Sequence, residues 1–325
     1  MQGRDTRIMA LQRTFVGIDV SKEWLDLWLA PLKRFERAGN DGAGWAAVIG
    51  LLKSLGIEAG IVVAFEATGG YEQGLRRALL EAGFDVRRLN PLRVRLYAKS
   101  LGRNAKNDRI DARVIARYAE AADTTPDILD PARERLAELV SHRRRLVDER
   151  VAVGNQTNTL HCVLLQAQNR KRLALIERQI DETDTLILEA VGQVPSLVAK
   201  VGLLKTLKGV KDITAIALVA LLPELGRISR RAIAALVGLA PFDHDSGKFT
   251  GTRSIAGGRA AVRTALYMAA RAAARSKSPL GDFYKRLIAA GKSPKVATVA
   301  LMRKMLVTLN AMVRDNEAWK HAKPC

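Results

Sequence analysis

The chain has 325 residues, 48% apolar and 26% charged, which is enough for two domains with separate cores and too apolar for wholesale disorder. Its 53 Lys and Arg against 33 Asp and Glu leave a formal charge of +20, an excess that attracts polyanions and makes nucleic acid the first partner to consider. Two cysteines and four scattered histidines argue against a disulfide framework, a thiolate metal site and zinc, so any metal is expected to be hard and oxygen-bound.

In chain order, residues 14–20 (TFVGIDV) read as a buried strand, with Trp24 to Ala30 returning as its hairpin partner. A helix fits Gly44–Leu55. Ile61 to Glu66 reads as a second buried strand that ends in an acid, broken by Thr68-Gly69-Gly70. Tyr71–Ala82 is helical in pattern, Phe84–Leu89 is a strand, Pro91 opens a helix, and Lys106–Ala122 is another. Strands in a hairpin, then alternating with helices, give an α/β domain with a mixed sheet.

From Pro131 to Val194 there is no proline, and Leu136, Leu139, Leu146 and Val153 recur at helical spacing, as do Leu173, Ile176, Ile180 and Ile187. The segment between these runs is polar and includes Gly154-Asn155-Gln156, and the pattern predicts two long amphipathic helices, paired as a hairpin or with another subunit. Beyond Pro195 come helices at Leu203–Leu207 and Ile213–Leu222, an irregular Gly-, Asp- and Ser-rich piece from Ala240 to Arg259, and helices at about Ala260–Ala274 and Pro294–Arg314. No apolar run reads as long enough to span a bilayer, and the first residues lack a signal-peptide stretch, so no membrane is expected and the cytoplasm is the expected compartment.

Charge is uneven. Residues 196–325 hold 23 basic and 7 acidic side chains, whereas residues 121–195 hold 10 and 12. The polyanion attraction is thus concentrated in the last third, and the suggestive acids lie in the first.

Asp19 sits in an apolar strand, where an unpaired carboxylate costs several kcal/mol to bury. Glu66 ends a second such strand, and neighbouring strands would bring both acids out at one edge of the sheet. Asp108 and Asp111, three apart, share a helix face. Four such carboxylates suit one or two Mg²⁺ ions, with Mn²⁺ as the alternative, acting on a phosphodiester. Singly, each acid also reads as a cap or turn former. Asp26, Asp41, Glu72 and Glu81 read as solvated charge on helix faces or in loops.

Gly17-Ile18-Asp19-Val20-Ser21-Lys22, Phe65-Glu66-Ala67-Thr68-Gly69-Gly70-Tyr71, Asn90-Pro91 and Lys106-Asn107-Asp108-Arg109-Ile110-Asp111-Ala112 together resemble the successive motifs of the DEDD transposases of bacterial insertion sequences (the "IS one-ten" family). The resemblance covers essentially the whole chain. It implies an RNase H-like, RuvC-type α/β domain over residues 13–124 after a flexible N-terminus (1–12), a coiled-coil spacer over 125–195, and a mostly helical transposase domain over 196–325. It makes Asp19, Glu66, Asp108 and Asp111 metal-binding catalytic residues. It also makes Ser246, in Asp245-Ser246-Gly247-Lys248, the nucleophile that forms a phosphoserine link; from composition alone that serine is a turn former. The family's lysine after this serine is replaced by Ala256, leaving Arg253 or Arg259 to supply the charge, and Ser254 is an alternative nucleophile.

Nucleic-acid contacts are expected at Lys22, Lys248, Arg253, Arg259 and Arg263. They are expected also at Arg143, Arg144, Arg145, Arg170, Lys171 and Arg172, where evenly placed basic clusters on long helices suit an extended duplex or folded RNA and solvated helix faces are the alternative. Lys208 and Lys211 flank Gly209 in a turn that is either phosphate-binding or an ordinary link between core helices. The resemblance further implies target and donor DNA as partners, a structured guide (bridge) RNA, and a homo-oligomer in which dimers assemble to a tetramer. The residues alone leave two other readings: a metal-dependent junction nuclease without a covalent intermediate, and a non-catalytic nucleic-acid scaffold.

Overall fold

The computed structural model describes residues 13–30, 32–55, 60–67, 69–101, 108–122, 124–242 and 254–319. The expected N-terminal segment and the stretch carrying Ser246, Lys248 and Arg253 lie outside the described residues. Residues 1–129 and 130–325 form two compact units.

The first unit is built on a five-stranded sheet. Strands β1 (Thr14–Val20), β2 (Trp24–Leu29) and β3 (Arg34–Gly39) are followed by helix α1 (Gly42–Ser54) and β4 (Ile61–Glu66). Then come α2 (Gln73–Glu81), β5 (Asp85–Leu89), α3 (Pro91–Ser100) and α4 (Asp108–Ala121). Spatial order is β3-β2-β1-β4-β5, antiparallel across β1–β2–β3 and parallel across β1–β4–β5. This is the mixed RNase H-like sheet expected. One face packs Val16, Ile18, Leu25, Leu27, Val63 and Phe65 with Val48 and Leu52 of α1 and Leu75 and Leu79 of α2. On the other face Ala64 and Leu89 pack with Val114, Ile115 and Ala119 of α4, and Trp28 packs with Ala112 and Ala116.

Gly17 sets how close α4 comes. A Cβ there would lie 2.1 Å from the Ala112 carbonyl oxygen and 2.6 Å from the Ala116 nitrogen, so only glycine lets the helix backbone lie on β1. β3 was not foreseen, because RFERAG lacks both alternation and β-branched residues. It forms as the charged edge partner of β2, and charge on an edge strand deters pairing with another chain.

Among its described residues the regular structure of the second unit is helical apart from a short ribbon, β6 (Pro241–Phe242) with β7 (Ser254–Ile255). Its helices are α5 (Pro131–Thr159), α6 (Val163–Gly192), α7 (Pro195–Lys205), α8 (Asp212–Leu221), α9 (Arg230–Val237), α10 (Ala260–Ala274), α11 (Pro279–Ala289) and α12 (Pro294–Asp315). The two long helices form an intramolecular hairpin with Leu146, Val153, Ile176 and Ile180 between them. Gly154-Asn155-Gln156 lies inside α5; the break falls at Leu160-His161-Cys162, where the chain leaves helical geometry before α6. At the base of the hairpin Leu136, Ile187, Ala190 and Val191 join one core with α7 to α12.

Contrary to the sequence reading, one helix is long and apolar enough to cross a bilayer. That helix, α12, buries Leu301, Met302, Met305, Leu306 and Leu309 in the core of the second unit. Two further helices, α9 and α11, were not foreseen. Each begins at a serine whose side chain caps it, Ser229 accepting from the Ala232 amide and Ser278 from the Gly281 amide.

Candidate active site

The sheet register gathers the acids. Gly17 of β1 pairs with Ala64 of β4 and with Trp28 of β2, and all three face α4. Two residues on, Asp19 and Glu66 emerge on that same face at the ends of adjacent parallel strands, because side chains alternate with period two. Asp111 precedes the Ala112 that rests on Gly17, so the close approach of α4 places this acid's turn over β1. Asp108 is the first residue of α4; its side chain lies outside the described residues.

Electrostatics join three of the four acids. The Glu66 carboxyl is pushed up from 4.5 to about 7, first by burial, then by the negative charges of Asp19 and Asp111, with Arg95 of α3 opposing. Asn90 caps α3, accepting from the Leu92 and Arg93 amides at 2.9 and 3.3 Å, which fixes the helix that brings Arg95 near Glu66. The sequence reading had not singled out Arg95. Among the described residues no three His, Cys, Asp or Glu side chains are gathered closely enough to ligate one ion. The donor set nevertheless suits a hard cation: it is all oxygen, half-buried and mutually repulsive.

Asp26, read from sequence as solvated charge, is instead a buried strand residue directly opposite Asp19. Arg37 of β3 grips it through Nε and Nη2, each 2.9 Å from a carboxylate oxygen. Asp19, Asp26 and Arg37 are paired across β1, β2 and β3, and Glu66 stands one residue past the last β1–β4 pair, Ile18 with Phe65, which extends the row to a fourth strand. Its sequence signal was the single acid inside WLDLWL, whose even positions share the face of Trp24 and Trp28.

Glu72 was likewise misread. It is buried and accepts from the Gly70 amide at 2.9 Å, closing the turn after Glu66. Asn40 locks the mouth of the site: its Nδ2 donates to the carbonyls of Ser21 (2.8 Å) and Tyr71 (3.0 Å), and its Oδ1 accepts from Trp45 Nε1 at 2.9 Å. Asp41 caps α1, accepting from the Gly44 amide.

The predicted basic residues divide. Lys22 is exposed on the β1–β2 turn; Arg145, Arg170 and Lys171 are exposed on the hairpin; Lys208 and Lys211 are exposed around Gly209. Arg143 instead bridges the hairpin to Asp184, Arg172 reaches Glu149 at 3.2 Å, and Arg144 lies 3.7 Å from Asp148. Arg259 is held by Glu224 at 2.5 and 2.6 Å and donates to the Leu221 carbonyl. Arg263 donates to the carbonyls of Val237 (3.0 Å) and Gly257 (2.6 Å). Arg263 thus ties the end of α9, ahead of β6, to the turn after β7, while Arg259 is anchored to the end of α8 and the segment that follows it. That is a structural use which the sequence reading, expecting nucleic-acid contacts, did not foresee.

Comparison with known proteins follows the same division of the chain. Residues 16–168 match the transposase domain named for DEDD and IS110, and residues 201–285 match the Transposase IS116/IS110/IS902 family. The pilin gene-inverting protein of Moraxella lacunata is 26% identical over 320 residues, 94% of this chain and 97% of that protein. The pilin gene-inverting protein of Moraxella bovis is 27% identical over the same shares.

Proposed function

The chain belongs to the IS116/IS110/IS902 transposase family and is a DNA recombinase, and we propose that it excises and inserts a mobile element by RNA-guided strand exchange. One observation carries the catalytic part of this reading: Asp19 and Glu66 stand on one face at the ends of the adjacent strands β1 and β4, where burial first, and then the charges of Asp19 and Asp111, raise the Glu66 carboxyl. Perturbed carboxylates gathered in this way mark functional sites. Asp19, Glu66 and Asp111, with Asp108, would hold one or two Mg²⁺ (or Mn²⁺) ions, which when bound supply charge stabilisation at a phosphate.

In the proposed reaction the Ser246 hydroxyl oxygen bonds to phosphorus as the bond to one deoxyribose oxygen breaks. That oxygen leaves as a hydroxyl, taking up the proton given up by the serine. A hydroxyl of the exchanged strand then attacks the phosphoserine, restoring the phosphodiester and the serine. The bond energy is conserved, so no external energy source is needed. Inversion, the event that the names of the Moraxella proteins describe, requires the same cutting and rejoining. Target choice would rest on base pairing to a guide RNA rather than on side chains. Action in the cytoplasm on target and donor DNA, by a dimer that assembles to a tetramer, completes the proposal.

The test is a denaturant-stable protein–DNA adduct. It is expected to map to Ser246 and to be lost with strand transfer in Ser246→Ala, while RNA binding persists. A fully active Ser246→Ala protein excludes the serine mechanism. Sequencing the nucleic acid that co-purifies with the protein checks the guide: a single structured RNA species is expected, and random fragments would contradict it.

A further inference from the structure

The acid row does not end at the acids. On the same face, β2 carries Trp24 and the edge strand β3 carries Phe35 and Arg37. Trp24 is 49% exposed, with the Arg37 guanidinium 5.9 Å from its ring centre. Phe35 packs on Trp28 with ring centres 4.5 Å apart, and Arg113 of α4 lies 5.1 Å over Trp28. Edge protection accounts for charged residues on β3. It does not account for a half-exposed indole beside a guanidinium that is itself oriented by a buried carboxylate.

We propose that this ledge binds the DNA strand on one side of the phosphate held at the acids, with Trp24 stacking on a base and Arg113 facing a phosphate, while Arg37, paired with Asp26, braces the Trp24 indole. The inference rests on the reading of the acid row as the phosphate site. Adjacent strands are spaced by about 4.8 Å, so Arg37 stands ~10 Å from Asp19 and ~14 Å from Glu66, a few nucleotides along one strand. Positive charge flanking an aromatic platform is the combination that holds single-stranded nucleic acid, because every base has a face to stack and every linkage a charge to meet. Asp26 serves twice. It orients the Arg37 guanidinium, and its own charge, directly opposite Asp19, is matched by Arg37 so that it repels the incoming strand less. The same pairing makes Asp26 a positioning residue for the ledge rather than a fifth ligand.

The experiment uses the full chain and a short single-stranded oligodeoxynucleotide bearing a photoreactive pyrimidine, without added divalent metal. Crosslinking is expected at Trp24. Trp24→Leu should abolish that crosslink and weaken binding about tenfold, with Trp24→Phe recovering much of it. Arg113→Gln should weaken binding to all sequences alike and lower the salt slope by about one. Unchanged affinity in a folded Trp24→Leu protein, or a crosslink confined to other residues, overturns the proposal. So does a Trp24 crosslink formed with RNA of the same sequence and not with DNA. Glu66→Gln separates the two readings: it should keep the Trp24 crosslink while losing Mg²⁺-dependent cleavage. If it keeps that cleavage, the metal reading falls and the crosslink alone decides the ledge.

Discussion

At the scale of single residues, Glu66 carries the most information. A carboxyl whose folded value lies near 7, against 4.5 unperturbed, is destabilising when charged. The sign follows from linkage. The native state holds its proton more tightly than the unfolded chain does, so this group's contribution to stability is fully present below about 4.5 and is lost as pH rises through 7. The metal-free protein should therefore melt at a higher temperature at pH 5.5 than at pH 8, with Glu66→Gln removing part of that difference. At pH 8, Mg²⁺ should raise the melting temperature of the wild type and leave the Gln variant nearly unmoved. Calorimetry at the two pH values checks both, and an identical pH dependence in the variant would contradict the crowding of charge at this site.

Asp127 behaves in the opposite sense. Burial raises its carboxyl, but the hydrogen bond and charge of Arg76, helped by Arg88, outweigh this and hold it below the usual range. Arg76 is 2% exposed and donates to both Asp127 oxygens, at 2.6 and 3.0 Å. Asp127→Ala would remove the Asp127 carboxylate from a buried guanidinium that keeps its bond to the Ile128 carbonyl, and a loss of about 3 kcal/mol of stability is expected in denaturant melts. The stabilisation by Asp127 is present above the unfolded carboxylate value and fades as pH falls through the depressed one, so the variant and wild type should converge in acid.

Elements explain what the sequence made legible and what it hid. The strands TFVGIDV and IVVAFE announce themselves as short apolar runs rich in β-branched residues, and the parallel pairing of β1 with β4 brings Asp19 and Glu66 to neighbouring strand ends. Asp26 was missed because its burial depends on the register of β2 against β1 and on β3, an edge strand that nothing in RFERAG announces. The hairpin break falls within the polar interval expected between Val153 and Leu173, but past Gly154-Asn155-Gln156, because a 29-residue helix packed along one face tolerates a glycine at roughly 1 kcal/mol. Gly17 links element to site. Gly17→Ala must push α4 off β1, so a stability loss of about 1–3 kcal/mol or more is expected, with Mg²⁺ affinity falling as Asp111 moves away. A variant with wild-type melting and wild-type metal affinity would show that α4 yields without cost.

For the molecule as a whole, the excess of positive charge and the candidate acids occupy different parts of the chain. Residues 196–325 carry 23 basic against 7 acidic side chains, and only some of the cations are spent internally, as Arg259 and Arg263 are. Non-specific affinity for DNA should therefore be steeply salt-dependent and dominated by this last third. Substituting exposed Lys208 and Lys211 together with Gln should lower the slope of log K against log salt by about two if both meet phosphates. An unchanged slope would assign Lys208-Gly209-Val210-Lys211 to the turn between core helices alone. The backbone there already has a structural reason to exist. Gly209 adopts φ +95° and comes so close to α10 that a Cβ would lie 2.7 Å from the Ala269 carbonyl oxygen. The salt slope isolates the side chains from that backbone role, since Gln at both positions leaves the glycine and the helix start untouched.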